Sequence, residues 1–212
     1  KEPQQVRDYG KGAPHVRLFL DPHFAAQDVA SAEFVAAKLR ALEDDRRPLR
    51  VLYFGRLVPY KGVYQMLEAV ASAHRRGANL TFDIMGCGDR DALEAQAARL
   101  GIADLVGWIT PRAYGPAFFE VLRERDVLLA CPLTNDTPRS AWDALACGMP
   151  LLAFDSPFYK SMALWSNAVE LTPWLEVEAL ADRLLSLATD KTQLAPKVAS
   201  AVATARENTG ES

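Results

Sequence analysis

The stretch LRVLYFGRLVPYKGVYQMLEAVASAHRRGANLTFDIMG, residues 49–86, decides the fold. LRVLYFG (49–55) is an apolar run of strand length that ends on a glycine. KGVYQMLEAVASAHRRG (61–77) carries apolar residues at helical spacing and closes on Gly77, as helix C-termini commonly do. LTFDIMG (80–86) is a second strand-length apolar run. Strand, helix and strand in this order form a βαβ unit, whose two strands run parallel.

The same rhythm continues outward. DRDALEAQAARLG (89–101) reads as a helix ended by glycine, LVGWI (105–109) as a short strand, 113–124 as a helix and DVLLAC (126–131) as a strand. TPRSAWDALACG (137–148) predicts a helix with Thr137 as N-cap, Pro138 at the first helical position and a terminal Gly148. PLLAF (150–154) and AVELT (168–172) are strands, and VEALADRLLSLATD (177–190) and the alanine-rich tail from Leu194 are helical. Upstream, residues 30–43 have helical spacing and VRLFL (16–20) suits a short strand. The strands are continuous apolar runs, as expected where helices cover both faces. With right-handed crossovers they make an α/β fold, one doubly wound, mainly parallel Rossmann-like sheet with flanking helices. Residues 1–48 are then an interdomain linker or N-terminal extension with one helix, and 49–212 the Rossmann-like domain.

Composition fits one such domain. Half of the 212 side chains are hydrophobic and 24% are charged, and a net charge of -3 offers no basic field for nucleic acid. Cys87, Cys131 and Cys147 are widely spaced and odd in number, which suits neither a disulfide framework nor a zinc ribbon. Their apolar neighbours predict buried free thiols in a reducing compartment. No apolar run is long enough to span a bilayer, and no signal peptide opens the chain. The chain starts at Lys1 and not at a methionine, which suggests a piece of something longer.

Ligands of doubly wound sheets bind beyond the carboxyl ends of the strands. That rule selects 55–62, 86–89, 109–114, 132–140 and 155–160. GRLVPYKG (55–62) is no P-loop, because Tyr60 precedes Lys61 and Gly62 follows it. Lys61 at a helix start opposes the helix dipole by roughly a few tenths of a kcal/mol, and a bound anion would reverse that sign. The other reading is a solvated turn with two cations. In IMGCGDR (84–90), Gly86 allows close approach of a ligand or a sharp turn, and the third glycine of a dinucleotide fingerprint is missing. In TNDTPRSAWDALACGMP (134–150), the first turn of the expected helix makes an anion site to which Arg139 and Ser140 add donors. Asp143, four residues after Arg139, either pairs with it or accepts hydroxyls of a sugar or ribose.

GRL…KG after a strand, then IMGCGDR, then a polar loop leading to D-A-L-A-C-G-M-P, together resemble the C-terminal, donor-binding domain of retaining GT-B glycosyltransferases. More narrowly, residues 50–190 or so are similar to the glycosyl transferases group 1 family. The resemblance implies an enzyme that moves a hexosyl group from a nucleoside-diphosphate sugar to an acceptor. Arg56 and Lys61 would grip the diphosphate, and Gly55 would pack against the donor. Thr137, Pro138, Arg139 and Ser140 would face the leaving group, with backbone amides from 138–141 as donors. Of the family's two glutamates, the second falls on Asp143, a shorter carboxylate, and would bind the ribose. The first, which contacts the donor sugar, falls on Asn135 with Asp136 beside it. Thr110 and Trp108 lie near where the base should sit, although Trp108 suits the core better. The family often has a glycine pair after the strand PLLAF, where this chain reads DSPFYKS (155–161).

By the same resemblance, the acceptor and part of the machinery belong to an N-terminal domain, so this half alone would be inactive. The resemblance implies no cofactor and no metal, and no Asp-x-Asp metal motif occurs. It implies a cytoplasmic protein of carbohydrate biosynthesis, with peripheral contact to the inner membrane face as an added expectation. The uncharged Asn135 keeps a second class open, a non-catalytic nucleotide-sugar-binding or regulatory Rossmann-like domain.

Overall fold

The computed structural model describes residues 24–209. The strand expected at 16–20 lies outside them. Six strands, β1 (Leu49–Phe54), β2 (Leu80–Met85), β3 (Val106–Ile109), β4 (Val127–Ala130), β5 (Leu151–Phe154) and β6 (Val169–Thr172), pair in the order β3-β2-β1-β4-β5-β6. Every pairing is parallel. The expected doubly wound sheet is therefore present. Its order reverses between β1 and β4, which opens a crevice beyond their carboxyl ends.

Among the described residues, eight α-helices cover the two faces: α1 (Ala32–Leu42), α2 (Val63–Arg75), α3 (Arg90–Arg99), α4 (Pro116–Arg123), α5 (Ser140–Ala146), α6 (Pro157–Ala163), α7 (Val177–Thr189) and α8 (Ala195–Arg206). Side chains alternate along each strand, so each strand feeds two cores. Val51, Val127, Leu129 and Phe154 pack under α2, α3 and α7. Leu52, Phe54, Leu128 and Leu151 pack under α4, α5, α6 and α8. This double burial is why the strands read as unbroken apolar runs. Phe24 and Leu42 are buried in these same cores, and α1 packs on α8, so the described part of residues 1–48 packs with the sheet.

Three local expectations are corrected. Cys131 and Cys147 are buried but Cys87 is exposed, because it lies on the turn between β2 and α3 and not in an element. The helix expected from Lys61 begins at Val63. Pro59–Lys61 is one turn of 3-10 helix, and Gly62 separates it from α2 in a left-handed conformation (φ 75°). A Cβ on Gly62 would lie 1.9 Å from the Cys131 carbonyl oxygen, so only glycine lets this turn meet the end of β4. The helix expected at 137–148 with a Thr137 cap spans only Ser140–Ala146, with Arg139 at the cap position. Asp136 is drawn toward Lys61 by an ion pair and accepts the Thr137 N–H through Oδ1 at 3.0 Å. Pro138 in turn keeps Thr137 out of helical geometry. The segment before α5 therefore crosses the crevice as an extended strap.

Candidate functional site

The crevice at the β1/β4 reversal has a cavity volume of about 40 Å³. Its floor is Tyr53, Phe54 and the β4 end from Leu129 to Pro132. Gly55 and Lys61 from the loop after β1, Asp136 and Pro138 from the strap, Ser140 at the start of α5 and Tyr159 of α6 complete the lining. Five of the expected site residues thus meet at one place: Gly55, Lys61, Asp136, Pro138 and Ser140.

The loop after β1 is held from both sides. The Tyr53 hydroxyl donates to the Arg56 carbonyl at 2.7 Å. Arg56 is exposed and donates to the Tyr60 hydroxyl. The Tyr60 ring also lies under both cations, 5.6 Å from the Arg56 guanidinium and 5.5 Å from the Lys61 ammonium. One aromatic ring therefore ties together the two cations of GRLVPYKG, and cation–π attraction of this kind contributes about 0.5–1 kcal/mol at exposed sites. Lys61 reaches inward and forms a charge-assisted hydrogen bond with Asp136 Oδ2, with both side chains mostly covered.

Gly86 serves this same loop. A Cβ there would sit 2.0 Å from the Gly55 carbonyl oxygen, so the loop after β2 lies directly on the loop after β1. Leu57 donates to the Cys87 carbonyl at 2.8 Å and bridges to Gly88 in parallel fashion. This contact between loops accounts for the glycine at 86.

Asp143 is 8% exposed on α5 and accepts a hydrogen bond from the Tyr114 hydroxyl at 2.9 Å. Asn135, Thr137 and Arg139 are exposed on or beside the strap, and Thr110 is exposed after β3. Pro138 has no N–H, and the Ala141 N–H is turned to the Pro138 carbonyl at 3.4 Å. Of the amides expected to serve at 138–141, those two are therefore not donors to a ligand. Trp108 is half-buried against the core, and its other face carries the Arg90 guanidinium at 5.1 Å. Lys160 of DSPFYKS is largely exposed and pairs with Asp155 at 2.9 Å.

Two phenols line the crevice: Tyr53, which was not expected here, and Tyr159, which with Phe158 suited either a sugar pocket or packing under a loop. Tyr159 is 1% exposed and lines the crevice. Burial pushes its hydroxyl well above the ordinary tyrosine range. Burial, then the charge of Asp136, raises Tyr53 in the same direction. Both hydroxyls therefore stay protonated. Tyr53 was readable as an inward-pointing strand residue, since Tyr tolerates burial when its hydroxyl finds a partner. Trp174, also unforeseen, donates its Nε1–H to the Pro132 carbonyl at 3.1 Å.

A crevice lined by the Lys61 ammonium, the Asp136 carboxylate, the Ser140 hydroxyl and two protonated phenols can bind both an anionic group and hydroxyl groups. Comparison with known proteins bears on the family and the fold. The family model described as Glycosyl transferases group 1 matches residues 36–207. The chain is 26% identical over 113 residues to the UDP-N-acetylglucosamine–peptide N-acetylglucosaminyltransferase GtfA subunit of Streptococcus pneumoniae, covering 53% of this chain and 22% of that protein. In structure it is similar to WaaG, a glycosyltransferase involved in lipopolysaccharide biosynthesis, with a TM-score of 0.74, 19% identity, and coverage of 96% of this chain and 56% of that one. HepE of Anabaena, solved with UDP-glucose, gives 0.68 at 23% identity, covering 87% and 51%. The C-terminal domain of a glycosyl transferase group 1 family protein (LpcC) from Francisella tularensis gives 0.69 at 17% identity, covering 87% and 98%. The chain thus spans about half the length of WaaG and HepE and nearly all of that isolated C-terminal domain.

Proposed function

Because the chain belongs to the glycosyl transferases group 1 family, we propose that its β1/β4 crevice holds the nucleoside-diphosphate sugar donor of a retaining hexosyl transfer. The observation that carries this reading is the meeting of Gly55, Lys61, Asp136 and Ser140 around one crevice at the sheet reversal. Lys61 lines it directly, and Arg56 joins through Tyr60. These two cations stabilise the diphosphate as the glycosyl–phosphate bond breaks and negative charge develops on the leaving oxygen. Each charge-assisted hydrogen bond to it contributes about 1.5–3 kcal/mol, and groups already in place need no reorganisation. Asp143 accepts the ribose hydroxyls. Asp136 and Asn135 face the sugar.

The solved complex of HepE with UDP-glucose, and of GtfA with UDP and GlcNAc, support a uridine diphosphate sugar as the first donor to try. The acceptor is supplied by a further domain, and this half alone binds donor without turnover in the cytoplasm. Isothermal titration with UDP- and GDP-sugars tests the reading, together with transfer assays on the full-length protein. Heat of binding that vanishes in Arg56→Ala/Lys61→Ala supports it, and absence of heat with every nucleotide sugar refutes it. A second reading, a non-catalytic nucleotide-sugar sensor, is favoured by one feature. Asn135 carries no charge, and Asp136 is already committed to Lys61. Donor binding without transfer by the full-length protein would select it.

A further inference from the structure

Asp143 stands where the family resemblance places a glutamate, and aspartate is one methylene shorter. Its reach and orientation therefore depend on what holds it. The Tyr114 hydroxyl donates to Asp143 Oδ1 at 2.9 Å across the gap between the loop before α4 and the face of α5. The Tyr114 ring is itself fixed. It packs against Phe118 and Phe119, each at 5.3 Å between centroids, and Phe118 meets Phe54 of β1 edge to face at 5.5 Å. Tyr114 remains half exposed. Burial first, then the charge of Asp143, raises the Tyr114 hydroxyl above its ordinary range and keeps it a donor.

We infer that Tyr114 is a positioning residue of the donor site, orienting the Asp143 carboxylate toward the ribose and so setting discrimination between ribose and deoxyribose. The inference rests on the proposed donor-binding reading. A carboxylate held by a phenol meets a ribose hydroxyl in one geometry. Without the phenol it loses one of the contacts that orient it, and the hydroxyl contributes less. A site built around a substrate hydroxyl penalises the analogue that lacks it, because the buried polar group is left unpaired.

The readout is the ratio of dissociation constants of 2′- or 3′-deoxynucleoside diphosphate to ribonucleoside diphosphate. It uses whichever of UDP, GDP, ADP and CDP binds the wild-type chain best. A ribose hydrogen bond to a charged group makes that ratio roughly 10 or more. Tyr114→Phe keeps the ring packing and removes only the hydroxyl. It is expected to lower the ratio at least about threefold with an unchanged thermal midpoint. Asp143→Ala is expected to bring the ratio to about one. If Asp143→Ala abolishes discrimination while Tyr114→Phe leaves the ratio unaltered, the positioning role is wrong and the donor site stands. If Tyr114→Phe weakens both nucleotides by one common factor, its role is merely structural and the inference also fails. If Asp143→Ala leaves the ratio unaltered, or no ribonucleoside diphosphate binds, the donor-site reading falls and this inference with it.

Discussion

Replacing Lys61 with alanine probes the diphosphate grip, and Asp136 determines how large the loss will look. The Lys61 side chain is 15% exposed, and its ammonium is paired with Asp136. A diphosphate oxygen that takes this ammonium gains a charge-assisted hydrogen bond of about 1.5–3 kcal/mol, or roughly 10- to 150-fold in affinity. It must also displace or share Asp136, and partly exposed ion pairs contribute about 0–1 kcal/mol after screening. In the wild-type background, Lys61→Ala therefore loses the ligand contact but no longer has to give up the pair. In an Asp136→Asn background no pair exists, and the full contact is lost. Lys61→Ala should thus weaken UDP binding more in Asp136→Asn than in wild type, by up to about 1 kcal/mol. Asp136→Asn alone should tighten UDP by up to about fivefold for the same reason. Titration calorimetry of the four proteins with UDP at low, fixed ionic strength measures the cycle, since salt screens these terms. UDP is preferred to a UDP-sugar because it isolates the diphosphate from any contact between Asp136 and the hexose. A change below twofold for Lys61→Ala in the Asp136→Asn background would refute the grip.

Other outcomes follow from the fold. Gly62→Ala places a methyl 1.9 Å from the Cys131 oxygen at a φ of 75°, and should destabilise by about 2 kcal/mol or more in urea titration. Asp126, 1% exposed, accepts from Arg47 at 2.7 Å and from the Arg50 N–H at 2.8 Å, so Asp126→Ala should cost about 3–5 kcal/mol in the same assay. Lys38 is buried with its ammonium 2.5 Å from the Arg125 carbonyl, and burial lowers its pKa to about 8 despite the charge of Asp126. The unfolded chain then holds one more proton than the native state between about pH 8 and the ordinary lysine value of 10.5. Stability contributed by this group therefore rises with pH across that window, by about 3 kcal/mol in all. Subtracting the Lys38→Met stability curve from the wild-type curve removes the thiol and phenol titrations common to both. The difference should climb through the window, and a flat difference would contradict the assignment.

The sheet was legible because each of its strands is apolar on both faces, and Val51 and Leu52 feed different cores from adjacent positions. The helices were legible where glycine closes them, as Gly77 does after α2. The start of α5 was not. Thr137 and Pro138 have cap-like identities, yet an ion pair between residues 61 and 136 holds the strap extended, and such a long-range contact leaves no local pattern. The crevice residues were legible by placement, since Gly55, Lys61 and Ser140 all sit where strand ends predict a ligand. Their partners were hidden. Tyr114 meets Asp143 across 29 residues, and Tyr60 reads as an ordinary loop aromatic until it lies under two cations. Cys87 was misjudged because apolar neighbours in sequence do not bury a turn residue.

The central claim is that the β1/β4 crevice is a diphosphate site. A crystal structure of the chain soaked with the nucleoside diphosphate it binds best tests that claim most directly. The account predicts phosphate oxygens within hydrogen-bond distance of Lys61 Nζ and the Arg56 guanidinium, and a ribose hydroxyl on Asp143. A nucleotide bound elsewhere on the sheet, with the Lys61–Asp136 pair and the Tyr114–Asp143 hydrogen bond undisturbed, would contradict it.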